Sequence, residues 1–257
     1  MPKNTSSPKL IILEVIKEAY RLYKENFSTF IKVSGVYFVI RIFSRITRHF
    51  SDLSLDNGSS FTLNSTVLFV VAILLLYLQI KTIVSLYICI SERYQSHKIK
   101  FIESFAKSKG KVKDYAVLSM LILLIILIPS LGALFSYNFI EIASLQQLLT
   151  ITFLFLILYM GTIYSFAPVI GILEEEKHNY LEKSNQLVGS YFLKVAFLRH
   201  LNIILAIPYY YLVHILGVSL INEFFLFTVS RAIFIFIMPF TYAITVVMYY
   251  KLKEING

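Results

Sequence analysis

The chain has 257 residues, of which 57% are hydrophobic, 16% aromatic and only 15% charged. A soluble domain carries about 45–50% apolar and about 25% charged residues. The apolar excess here is also clustered, so a soluble globular protein is excluded and an integral membrane protein is expected. The net charge of +9 then belongs with cytoplasmic-side lysines and anionic lipid headgroups rather than with nucleic acid. A single cysteine, Cys89, excludes an intrachain disulfide and, in its apolar run, reads as a small hydrophobe.

From the N-terminus, residues 1–27 read as an amphipathic helix rather than a signal peptide. Glu14, Lys17 and Glu18 interrupt its brief apolar cluster, and no small-residue cleavage pattern follows. Ser7 can cap it and Pro8 suits its first turn. Ile12, Val15, Ile16, Ala19, Leu22 and Tyr23 fall on one face, as expected of a helix lying on a membrane surface.

Six runs follow that can each span about 30 Å of hydrocarbon, which takes about 20 residues. They are expected at about 27–48, 66–90, 115–136, 148–173, 195–221 and 225–250. The third and fourth carry no charge at all, whereas the first contains Lys32, Arg41 and Arg45. Lys32, Arg45 and Arg48 can snorkel to the ends of that span, which leaves Arg41 as its odd charge. Basic residues crowd the N-terminal segment, the segments between spans two and three and between four and five, and the tail. The other connections hold only Arg48. The excess of Lys and Arg on one side therefore places both termini in the cytoplasm of a multi-pass cell-membrane protein.

The first outer connection, "SDLSLDNGSSFTLN", reads as a loop. It contains two formal glycosylation sequons, at Asn57 and Asn64. Further along, "RYQSHKIKFIESFAKSKGKVKDY" interleaves seven cations with Ile102, Phe105, Ala106 and Val112. This is the pattern of a surface helix touching lipid headgroups, or of a docking site for a cytoplasmic partner. The run Glu174, Glu175, Glu176 with His178 offers oxygen ligands to a divalent cation. Adjacent carboxylates point about 100° apart on a helix, however. A solvated acidic helix start is therefore the favoured reading, and no metal site is assigned.

Sliding the chain by 79 residues aligns Glu103 with Glu182, Gly110 with Gly189, Ile125 with Ile204, Ile128 with Ile207 and Pro129 with Pro208. The unit is a span, an amphipathic cytoplasmic helix, then a span carrying a proline. "EAYRLYKENFSTF" looks like a third, degenerate copy. Such repeats occur in transporters and in membrane proteins that transport nothing.

No metalloprotease, nucleophile-elbow, phosphate-loop or dinucleotide-binding signature is present. A non-enzymatic protein without cofactors is therefore expected. The costly charges within the spans, Arg41, Lys81, Arg199 and Arg231, have no acidic residue inside a span to pair with. Arg41, Lys81 and Arg231 are the candidate contacts for an anionic ligand or lipid; snorkelling and backbone hydrogen bonds are the structural alternative. Pro129, Pro168, Pro208 and Pro239 each sit inside a span, where they free a carbonyl and kink the helix.

"APVIGILEEEKHNYLEKSNQLVGSYFLKV" resembles the membrane domain that precedes glycerophosphoryl diester phosphodiesterase in some bacterial and archaeal proteins, and the stand-alone relatives of that domain. The resemblance rests on the span ending in "APVIGILEE" and on Ser184, Leu187, Gly189 and Phe192 in the helix that follows. "ILEVIKEAYRLYKENFSTFI" is similar to that family's opening helix. The phosphodiesterase chemistry belongs to a separate soluble domain, so the resemblance implies a membrane domain without that activity. Ser184, Leu187, Gly189 and Phe192 are expected to be packing positions, with Gly189 admitting a neighbouring helix.

The expected protein is thus all-α, with six transmembrane helices in one polytopic domain over 1–257. Amphipathic interfacial helices precede spans one, three and five. Its expected role is a membrane module acting through lipid contact, chiefly anionic headgroups on the cytoplasmic side, or through a protein partner. The alternative is a small transporter or lipid-handling carrier with a path lined by Arg41 and Lys81.

Overall fold

In the computed structural model of the chain, the described residues are 10–56, 61–140, 142–175, 179–201 and 223–256. Among them there is no β-strand. The helices are α1 (Ile12–Glu25), α2 (Phe27–Asp56), α3 (Phe61–Tyr94), α4 (Phe101–Ser108) and α5 (Val112–Phe139). They continue with α6 (Ala143–Ile163), α7 (Ala167–Leu173) and α8 (Tyr180–Val188). A 3₁₀ turn at Gly189–Tyr191 leads into α9, residues 192–201, and α10 is Glu223–Asn256.

Five stretches are long and apolar enough to cross a membrane: Phe27–Thr47, Thr66–Tyr94, Val112–Phe139, Ala143–Leu173 and Ala232–Asn256. They coincide with five of the six expected spans. Most of the remaining span, with Pro208, lies outside the described residues, as do Ser7, Pro8, Asn57 and His178. The backbone at Arg48 and Arg231 is helical, but their side chains are outside the described set.

Two compact units divide the contacts. One comprises Met1–Glu18, Lys113–Leu201 and Ile244–Gly257; the other comprises Ala19–Val112 and Asn202–Ala243. In the second unit α2 packs along α3, and Val84 to Ser91 of α3 are all buried. The opposite half of α3 exposes Phe69 and Val70, and α5 exposes Leu123 at 67% and Ile128 at 75%. Burying one such side chain is worth about 1.5–3 kcal/mol. Helices apolar on every face are therefore stable against lipid, not water.

α1 forms as its pattern predicts. It buries Val15, Ala19 and Leu22 and exposes Glu14, Lys17, Arg21 and Lys24. α4 and α8 begin at Phe101 and Tyr180, the same 79-residue offset as the sequence repeat. The matched glutamates occupy the third position of their helices in both. Glu103 accepts from the Lys100 N–H at 3.0 Å. Glu182 donates its own N–H to the Asn179 side chain at 3.4 Å and accepts from Asn179 Nδ2 at 3.2 Å.

Three expectations need correction. The described residues of the outer connection are helical: α2 continues to Asp56 and α3 starts at Phe61. Extending an existing helix adds one bond per residue fixed, and Ser or Asp costs less than about 0.7 kcal/mol there. Glu174 and Glu175 do not start a helix. Glu174 is the residue that ends α7, with extended φ −104° and ψ 146°, and α8 is capped by Asn179 instead. The prolines also differ from one another: Pro129 and Pro239 lie within unbroken helices, whereas Pro168 marks a true interruption between α6 and α7.

Candidate functional site

The break between α6 and α7 organises the first unit. Pro168 has no N–H, and its ring crowds the carbonyl four residues back, at Tyr164. The chain responds by tightening. Ser165 N–H bonds Thr162 O at 3.2 Å and Ala167 N–H bonds Tyr164 O at 3.1 Å, both three residues back. That leaves Phe166 N–H and Ile163 C=O without their α-helical partners. Such orphans cannot be left in a buried, apolar setting.

Ser184 satisfies both. Its hydroxyl oxygen accepts from Phe166 N–H at 3.1 Å and its proton goes to Ile163 O at 2.6 Å. A hydroxyl can donate once and accept at the same time, so one small side chain repairs both ends of the break. Ser184 is fully buried, with Leu187 and Val188 beside it on the same face of α8. Phe192 stacks obliquely on Tyr159 of α6, with centroids 5.3 Å apart. Three of the four expected packing positions therefore pack.

Gly189 does not. Among the described residues nothing lies within 4 Å of where its Cβ would stand. It ends α8 in ordinary right-handed geometry, φ −42° and ψ −62°. The close approaches lie elsewhere: a Cβ on Gly171 would meet Leu118 Cδ1 at 2.7 Å, and one on Gly132 would meet the Phe153 ring at 2.6 Å. A glycine preceding a 3₁₀ turn and a glycine under a neighbouring ring look alike in sequence.

Immediately after α7, the Glu174 carboxylate gathers three donors. Lys183 Nζ bonds one oxygen at 2.5 Å; the Tyr249 hydroxyl and Lys253 Nζ bond the other at 2.7 and 2.9 Å. Glu174 is 8% exposed, Lys183 30% and Lys253 52%. Lys253 also lies over the Tyr249 ring at 5.9 Å, and that ring meets Phe166 at 6.3 Å. Burial by itself would raise the Glu174 pKa, but the bonds from Lys183, Tyr249 and Lys253 outweigh it and hold the group at about 2. A carboxylate is unfavourable beside the negative end of a helix; the two ammonium groups offset that. In the sequence Glu174 reads as a solvated acid because its partners lie up to 79 residues away.

The second unit carries a related arrangement. Glu92, near the end of α3, takes Lys107 of α4 at 2.5 Å and His97 at 3.1 Å. In both units a carboxylate at a helix C-terminus is bridged by a lysine of the short helix that follows.

The candidate anion contacts are separated. Arg41 Nη1 donates to Gln79 Oε1 at 3.3 Å, and Gln79 Nε2 donates to Ser44 Oγ at 2.9 Å, which ties α2 to α3. The Tyr37 ring lies 5.7 Å from the guanidinium. Lys81 is two residues beyond Gln79, hence about 200° around α3. It has no hydrogen bond or ion pair from its ammonium among the described residues, although its carbonyl accepts from Ser85 Oγ at 2.7 Å. The cavity touching Arg41 has a volume of about 10 Å³, against roughly 300–1,000 Å³ for small-molecule pockets.

Replacing Ser184 by alanine leaves two buried backbone groups unpaired, each costing about 1–3 kcal/mol. The expected loss is about 2–6 kcal/mol in unfolding free energy, read in detergent by the reaction of a fluorogenic thiol dye with buried Cys89. An unchanged unfolding midpoint would contradict the bridging role. Glu174 has a folded pKa below its ordinary 4.5, so its contribution is complete above about 4.5 and is lost as pH falls toward about 2. Unfolding midpoints of the wild type and Glu174→Gln should therefore differ at pH 7 and draw together progressively as pH falls from about 4.5 toward about 2; a constant difference would refute the ionic role.

No protein-family model matches the chain, and neither a curated protein nor a solved structure matches it.

Proposed function

We propose that the chain is a non-enzymatic multi-pass membrane module whose short helices lie on the cytoplasmic membrane surface and hold anionic lipid headgroups. One observation supports this most directly. α4 turns its two serines inward, Ser104 and Ser108 both fully buried, while Ile102 is 75% exposed. Around it Lys98, Lys100, Lys107 and Lys109 are exposed.

A helix packed in water would bury its isoleucine and expose its serines. The inverse arrangement suits an interface. Ser104 and Ser108 bond their own helix carbonyls, Phe101 O at 2.7 Å and Phe105 O at 2.9 Å, which lets α4 lie close against α3. Ile102 then reaches the acyl boundary while the lysines stay at phosphate depth. Each lysine near an anionic surface adds about 1 kcal/mol. α8 is the matching element after the fourth span, with Asn185 and Gln186 exposed. The excess of lysines in these connections supports a cytoplasmic placement, with both termini on that side. The likeness to the membrane domain associated with glycerophosphoryl diester phosphodiesterase agrees with a module that carries no chemistry of its own.

Changing Lys98, Lys100, Lys109 and Lys113 to glutamine together with Ile102→Ser should reduce retained anionic phospholipid at least tenfold. Native mass spectrometry of the purified protein in lipid nanodiscs reads this; equal retention would overturn the lipid reading and turn attention to a protein partner. With Cys89→Ala as background, Asn185→Cys should react with a membrane-impermeant maleimide only in inside-out vesicles. Labelling of intact cells would reverse the orientation.

A further inference from the structure

Arg41 lies within the apolar stretch Phe27–Thr47 and its interactions are incompletely satisfied. Gln79 takes one of its N–H groups and Tyr37 faces the guanidinium, but Nε is buried and has no hydrogen-bond partner among the described residues. Among the described residues no carboxylate contacts it. A guanidinium remains charged under all relevant conditions. The side chain as a whole is half-buried and its Nε is enclosed; a partly desolvated charge gains from a partner of opposite sign, and an amide dipole supplies none.

The cavity beside Arg41 is lined by Ser34, Tyr37 and Phe38 of α2 and by Phe234, Ile235 and Met238 of α10. Every one of these residues belongs to the second unit. Ser34 already donates its proton to Phe30 O at 3.1 Å. The lining is otherwise apolar or aromatic. A volume of about 10 Å³ holds about one water-sized guest, so a carboxylate, phosphate or headgroup does not fit.

We propose that this cavity is a binding site for one monatomic anion of halide size, held against the Nε–H of Arg41. The anion supplies the negative charge that the described residues of α2, α3 and α10 do not bring to Arg41. Water of the same size fills the space but leaves the charge unbalanced. The site is independent of the lipid-surface reading, since it lies within the apolar spans and involves none of the α4 lysines.

The test uses the full chain purified in detergent and exchanged into sodium gluconate, with Cys89 labelling as the unfolding readout. Sodium chloride or bromide should raise the unfolding midpoint saturably, whereas gluconate or phosphate at equal ionic strength should not. Arg41→Lys keeps the charge but removes the Nε–H, and should raise the half-saturating halide concentration at least tenfold. Arg41→Gln should abolish the response; if that variant does not fold, Arg41→Lys decides. No halide-specific rise in the wild type would overturn the proposal and leave water as the guest. A saturable rise that Arg41→Lys leaves unchanged would also overturn it, by placing the anion elsewhere.

Discussion

A backbone that breaks its helix inside an apolar environment must find other partners for the groups it frees, and here a single hydroxyl supplies them. Pro168 interrupts α6 and α7; Ile163 O and Phe166 N–H are released, and Ser184 Oγ takes both. Because Ser184 sits on α8, the repair also fixes where α8 lies. Leu187 and Val188 are carried onto the same buried face, and Lys183, the residue before the serine, is brought to Glu174. Helix break, short helix and ion cluster thus follow from one proline and one serine.

The Glu174 cluster extends the same logic to α10. A nearly buried carboxylate beside the end of a helix would be unfavourable alone. Three donors from α8 and α10 make it favourable, and removing them would leave a buried charge rather than a neutral gap. The donors are asymmetric: Tyr249 is enclosed, whereas Lys253 is half in solvent. Tyr249 therefore contributes most of the geometric definition, and Lys253 adds a weaker, screened attraction. In the other unit, Glu92 with Lys107 and His97 is more exposed and correspondingly weaker.

Much of the architecture is legible from local pattern. Five of the expected spans, the face that α1 buries and the start of α4 and α8 at a 79-residue offset all follow from hydropathy and periodicity. The misreadings concern residues whose role depends on something distant. Glu174 looked like a solvated acid because nothing near it in sequence announces Tyr249 or Lys253. Gly189 looked like a contact glycine because open space and a crowding ring leave the same letter in the chain. Residues 51–56 and 61–64 read as loop because Ser and Asp favour turns; continuation of α2 and α3 outweighs that weak preference there.

By itself the sequence determined that the chain is helical, where most of its long helices lie and which short helices separate them. Those properties arise from the cost of exposing apolar side chains and from the 3.6-residue period, both local. Only the tertiary structure decided which charges are satisfied. Arg41 meets Gln79 and has no partner for its Nε–H among the described residues, Lys81 sits on another side of α3, and Glu174 meets residues 75 and 79 positions along the chain. Pairing energy falls off over a few ångströms. Separation along the chain carries no information about it until the helices have packed.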